Sequence, residues 1–278
     1  MSTIVATNIE DLDTGDTVSV SNLITINDQR TNYGLVPSNN SGDITNDIDF
    51  TAGKCWDTTG TNYITVAAMT KRADATWAAG TNQGMMDTGT FALNKVYYFW
   101  AIRHTDGTTD ILCSLEDDWA SVTKPTGYTL GQLIHALPTV RTATQWLVST
   151  IIGDEVDFDP ATSVVPGFSI ASNSATVKSV NLPKLTVCRL SVAMGVGVPQ
   201  SAMQLSTTNP SRVGLTNTHL VAYVALTTLE LGSIGAVTSE MVDANGQIAF
   251  IGIYNVPTTA TVTCYGLGYR FNRRFAGA

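Results

Sequence analysis

Short apolar runs rich in β-branched and aromatic residues recur along the chain, separated by clusters of Gly, Asn, Asp, Ser and Pro. Such runs predict strands, because β-branched and aromatic side chains fit a pleated surface and the breakers supply turns. The clearest are residues 63–69 (YITVAAM), 95–103 (KVYYFWAIR), 110–114 (DILCS) and 145–152 (QWLVSTII). In the second half they are 185–192 (LTVCRLSV), 219–226 (HLVAYVAL), 247–254 (QIAFIGIY) and 260–267 (ATVTCYGL). Segment 95–103 has few polar breaks, which predicts cover on both faces of its strand. Asp106-Gly107 signals a hairpin into 110–114, and Asn245-Gly246 another before 247. Asn255-Val256-Pro257 predicts a turn between the last two strands. Residues 17–20 and 23–26 alternate briefly among acidic loops. Residues 129–136 (TLGQLIHA) fit a short helix or a strand, since they carry a Gly and lie between Pro125 and Pro138. Residues 160–184, rich in Pro, Gly and Ser, are the best linker candidate.

The pattern predicts an all-β fold, an antiparallel β-sandwich of jelly-roll type. Residues 1–45 read as a short extended N-terminal arm or as a first hairpin of the same domain. Residues 46–278 read as the sandwich, any internal division falling near 160–184.

Composition sharpens this picture. Charged residues make up 14% of the 278, against about 25% in an average protein. The deficit is filled by small neutral polar residues that suit strands and turns, while the Lys and Glu that coat surface helices are scarce. The net charge of −8 weighs against nucleic-acid binding, which needs a basic face. Arg270, Arg273 and Arg274 form the one basic cluster. No apolar run approaches the roughly 20 residues of a membrane-spanning helix. Residues 1–6 lack the basic start and apolar core of a secretory leader. The four cysteines, Cys55, Cys113, Cys188 and Cys264, make no C-x-x-C pair. Cys113, Cys188 and Cys264 lie in strand-like runs, which predicts buried free thiols made in a reducing cytosol.

Little in the chain points to catalysis. His104, His135 and His219 have no adjacent nucleophile in the sequence and read as structural imidazoles. Neither a nucleophile elbow, a phosphate loop nor an H-E-x-x-H motif is present. No cofactor is expected. Asp154, Glu155, Asp157 and Asp159 fall in one segment. They are candidates for a carboxylate pair that cuts a glycan, and Asp154, Asp157 and Asp159 for oxygen ligands of a calcium ion. Asp43, Asp47 and Asp49 are a second such set. The alternative for both sets is that acids at strand ends keep sheet edges soluble. Trp56 and Trp119 lie in polar surroundings, where an aromatic either stacks on a partner or caps the core.

One block, from Asn46 to about Asp157, is distinctive. It contains Asn46, Asp47, Ile48 and Gly53, then Lys71, Asp74, Ala75, Trp77 and Gly80. Gly84, Asp87, Thr88 and Gly89 follow, then Gly107, Asp110, Leu112 and Ser114, and finally Pro125, Gly127, Tyr128 and Thr129. This succession resembles a domain of tailed-bacteriophage virion proteins of the tail-fibre or tail-associated type. The end of the chain, YGLGYRFNRR, resembles the same proteins' closing G-W-x-D-x-R, with Tyr269 for Trp and Phe271 for Asp. Leu133-Ile134-His135 departs from their R-I-G.

The resemblance implies a virion structural role without catalysis, in a protein assembled in the host bacterial cytoplasm. It implies partners among other virion proteins and copies of the chain itself, a trimer being expected, with the host-surface glycan as a further partner. Capsid decoration or a head fibre is the alternative, and a glycan-cleaving tailspike a third reading.

Overall fold

A computed structural model describes residues 8–10, 17–19, 32–172, 174–208, 210, 219–254 and 259–271. For 8–10, 17–19, 196–203, 219–235 and 254 it describes the backbone alone. The protein is all-β, with no α-helix among the described residues. β1 (Asn8–Glu10) and β2 (Thr17–Ser19) pair as a small hairpin. The expected strand at 23–26 and the turn at 255–257 lie outside the described residues.

The first half of the chain forms one seven-stranded sheet. Its strands are β3 (Pro37–Asn39), β4 (Asp47–Phe50), β7 (Met69–Thr76), β8 (Gln83–Met86), β9 (Val96–His104), β10 (Thr109–Ser114) and β11 (Tyr128–Pro138). Their order in space is β11-β9-β10-β8-β7-β4-β3. A separate hairpin, β5 (Gly53–Trp56) with β6 (Tyr63–Val66), reaches this sheet through Thr109 Oγ1, which donates to Thr65 O at 2.7 Å.

β9 is buried from Tyr97 to Ile102, as its lack of polar breaks requires. Phe50 and Trp146 pack on Phe99 from one side, at 5.2 and 5.4 Å between ring centroids. Trp119 covers Trp100 from the other, at 5.4 Å. Residues 129–136 are strand within β11, buried from Gly131 onward and paired with β9. Cover on both faces makes an extended run of apolar side chains more favourable than a one-sided helix.

The second half forms another sheet: β12 (Ser149–Ile152), β13 (Glu155–Ala171), β14 (Ser174–Ser179), β15 (Val187–Thr208), β16 (His219–Met241), β17 (Gln247–Tyr254) and β18 (Thr259–Arg270). The strand foreseen over 145–152 begins only at Ser149. Trp146 before it makes an isolated bridge to Thr139. Most of the supposed linker is strand as well. β13 lies along β18, and β14 continues along β17. Its small residues serve an exposed, repeatedly bulged strand, with register shifts between Asp157 and Thr162, Ser163 and Val165, and Val165 and Phe168.

This sheet curls back on itself. β15 pairs with β18 over 187–196 and with β17 over 203–208, and on its other edge with β16 along almost all its length. Its register with β16 slips between Val196 and Pro199 and again between Gln200 and Ala202, the level at which its partner changes from β18 to β17. Strands that shift register at one level turn a corner there and enter a second layer.

Two contacts close that fold. Phe168, opposite Val262, meets Phe250, opposite Thr207, with ring centroids 5.1 Å apart. Thr207 Oγ1 donates to Glu240 Oε2 at 3.3 Å, although the two stand at opposite ends of the β15–β16 ladder.

The two halves share one hydrophobic core. Trp146, where the chain passes from one half to the other, is anchored in the first: its Nε1 donates to Asn46 O at 2.9 Å and its side chain is fully buried. Asn181 Nδ2 donates to Thr139 O at 2.7 Å, the Tyr269 hydroxyl donates to Ala136 O, and Phe271 stacks on His135 at 4.9 Å.

Candidate functional site

The block from Asn46 to Thr129 brings many of its marked residues together around one buried ion pair. Lys71 on β7 and Asp110 on β10 approach to 3.0 Å (Nζ to Oδ1), with side-chain exposures of 0% and 2%. Lys71 Nζ also donates to Ala78 O at 2.8 Å and Gly80 O at 3.2 Å. Asp110 accepts from Gly80 N at 2.7 Å and Ile111 N at 2.6 Å. Burial draws the Lys71 pKa below the ordinary lysine value, while the charge of Asp110 and its hydrogen bond draw it back up. With three acceptors the ammonium uses all its protons, so no lone pair is left for a nucleophile.

Neighbouring residues complete this clamp. Trp77 Nε1 donates to Ile111 O at 3.1 Å, and its ring meets Tyr128 edge-on at 5.0 Å. Ser114 Oγ donates to Asp87 Oδ2 at 2.7 Å, and Thr88 N to Asp87 Oδ1 at 2.7 Å. Gly84 lies against β7 so closely that a Cβ there would sit 2.0 Å from Thr76 O. Gly127, at φ +82°, leaves room for the ring of His104, which also contacts Tyr128 at 5.1 Å. What these residues do is hold β7, β8 and β10 and the loops between them.

The candidate acids have other occupations. Along β13, Val156 and Phe158 point inward while Glu155, Asp157 and Asp159 point outward. Asp157 is paired with Arg189 on β15, and Glu155 with Arg270 at 3.7 Å. Asp154 lies in the β12–β13 turn, where its carbonyl accepts from Phe271 N at 2.8 Å. Among the described residues no group of three or more His, Cys, Asp or Glu is arranged to hold a metal ion. Asp43 instead caps a turn, accepting from Thr45 N, Thr45 Oγ1 and Asn46 N. Asp49 accepts from Thr70 Oγ1 at 2.6 Å and Asn40 Nδ2 at 2.8 Å. Burial, then the charge of Asp43, raises the pKa of Asp47 between them.

Of the histidines, His104 pairs with Asp106 at 2.9 Å, and His135 is buried with Nδ1 2.9 Å from Ala136 N. The side chain of His219 lies outside the described residues.

The two tryptophans part ways. Trp119 lies flat over Gly131, where a Cβ would come within 2.5 Å of its ring, and covers Trp100. It caps the core. Trp56 stands on β5 instead of in a loop, and directly opposite Tyr63. The two rings lie 3.7 Å apart, with Lys54 Nζ 3.2 Å from the centre of the Tyr63 ring. Tyr33, 60% exposed, is bridged to Lys54 beside them. This aromatic face could not be found from composition, since its members come from three separate segments.

All four cysteines are buried and free. Burial pushes the thiols of Cys55 and Cys264 up to about 12, and those of Cys113 and Cys188 up as well.

No family model matches the chain, and no curated protein matches it significantly. Among solved structures it is similar to that of infectious bursal disease virus, Gx strain, at 11% identity. That alignment covers 90% of this chain and 72% of the other, with a TM-score of 0.25. A likeness at that level carries no argument about fold or role.

Proposed function

We propose that the chain is a structural component of a bacteriophage virion, best read as a tail-fibre or tail-tip protein that assembles with copies of itself and contacts the host surface. One observation carries this reading. Residues on which the resemblance rests come from three separate segments, Lys71, Trp77 and Gly80 from one, Asp110 from a second and Tyr128 from a third, and they meet around one buried ion pair, Lys71 with Asp110. A motif whose members close on one another in space serves a fold, and the pattern resembles that of tailed-bacteriophage virion proteins.

The available chemistry agrees with a role played through surfaces. The Lys71 ammonium is saturated, the thiols are buried, and Asp157 and Glu155 are paired with arginines. Beside the stack of Trp56, Tyr63 and Lys54, Tyr33 offers an exposed ring against which a sugar can pack.

Immunogold electron microscopy of intact virions with an antibody to this chain tests the proposal. Gold at the tail end is the expected result. Gold over the head would replace it by capsid decoration or a head fibre, and particles without label would overturn the virion reading altogether.

A further inference from the structure

Between the two halves, the start of β9, the segment after β11 and the β14–β15 link surround an open cleft of about 430 Å3. Lys95, Arg141 and Lys184 line it, and no Asp or Glu does. In a chain of net charge −8 this is a local reversal of sign. A concave site of one sign between low-dielectric walls concentrates counter-ions.

Lys184 is held from outside the cleft by Asp117 at 3.2 Å. Lys95 and Arg141 have no ion-pair partner among the described residues. Arg141 is fixed by a bond from Nη1 to Ser163 Oγ at 3.0 Å, and its Nε is enclosed without an acceptor. Held in this way, the guanidinium keeps a fixed position at the cleft, and an anion would meet its Nη groups. The amides of Asn94, Asn181 and Asn245 also line the cleft. Asn181 is held in place by its bond to Thr139 O.

We propose that this cleft binds a carboxylated sugar, the acidic unit of a surface polysaccharide. The carboxylate lies against Arg141 and Lys95, and the ring hydroxyls bond to the asparagine amides. Charge selects the anion, and arginine's fork suits a carboxylate. Size and amides select the sugar: the volume falls in the range of small-molecule sites and exceeds what a bare inorganic anion fills. Amides also both donate and accept, as hydroxyls require. The inference deepens the host-attachment reading and rests on it for the origin of the sugar.

Titration of the full chain with glucuronate oligosaccharide, a neutral glucose oligosaccharide and inorganic phosphate, followed by calorimetry, tests it. Glucuronate binding is expected to exceed both others, and Arg141→Gln to weaken it about tenfold or more at unchanged Tm, as the loss of a charge-assisted contact predicts. Lys95→Gln changes an exposed side chain that cannot unfold the protein, and is expected to weaken binding in the same direction. No glucuronate binding, equal binding of glucose or phosphate, or insensitivity to both variants would overturn the proposal. Labelled chain on host cells separates the two readings. Cell binding that survives Arg141→Gln and Lys95→Gln sinks the cleft and leaves host attachment standing. Glucuronate binding without cell binding supports the cleft and sinks host attachment.

Discussion

Lys71 is the residue whose environment most constrains the rest. An ammonium without exposure is tolerable only because three oxygens meet it. Removing it leaves the Asp110 carboxylate enclosed and uncompensated, so Lys71→Met is expected to cost about 3–5 kcal/mol in urea unfolding. A loss under about 1 kcal/mol would mean that the pair is wetter in solution than its burial requires. Asp57 makes a different kind of contribution, organising the β5–β6 turn. It accepts from Thr61 N, Asn62 N, Asn62 Nδ2 and Thr59 Oγ1. Burial acts to raise its pKa, but the bonds from Asn62 and Thr61 outweigh it and the net shift is downward from 3.8. A lowered carboxylate pKa gives stability that is full above the unfolded value and lost as pH falls through the folded one. The stability difference between wild type and Asp57→Asn should therefore be constant above about pH 5 and shrink below 3.8. A difference that stayed flat down to pH 2 would show that the charge does not matter there.

At the scale of elements, pairing on both edges separates stable strands from labile ones. Residues 187–196 of β15 are bonded to β16 on one side and β18 on the other. β12 is a four-residue strand whose ladder partner is β13. Amide exchange should accordingly be slowest along 187–196 and much faster in β12; the reverse order would contradict the register. The cysteines report on the same strands, one each on β5, β10, β15 and β18. Enclosed and with raised pKa values, all four should resist a thiol reagent at pH 8 in the native state and react together in urea. Selective labelling of one would locate a strand that opens by itself.

For the whole molecule, β16 offers a 23-residue strand whose ladder partner is β15. Beside it Leu185, Val187, Val237 and Met241 are exposed. Among the described residues β16 has no ladder partner besides β15, and a strand edge with apolar neighbours favours association. In the proposed fibre reading, light scattering should therefore give a mass about three times the chain's 29.6 kDa. A monomer at micromolar concentration would remove the trimer from the proposal.

How much of this was legible in the chain depends on how local each cause is. Residues 95–103, 110–114, 247–254 and 260–267 each announced a strand, because their own side chains decide between a pleated and a helical surface. The burial of Cys113 and Cys264 followed from the same runs and that of Cys188 from 185–192, while the burial of Cys55 on β5 was not announced. Residues 129–136 read equally as helix or strand until β9 on one edge settled the choice. Residues 160–184 read as linker because an exposed, bulged strand uses the residues of a loop. The marked block was visible as a pattern, yet its meaning was not. Lys71 and Asp110 lie far apart along the chain, and only the pairing of β7, β8 and β10 makes them an ion pair. The aromatic face of Tyr33, Trp56 and Tyr63 and the basic cleft of Lys95, Arg141 and Lys184 were equally hidden. Local sequence determines which segments extend, through side-chain shape and turn chemistry. Tertiary structure decides which distant residues share a site, because that depends on strand order and on where a sheet bends.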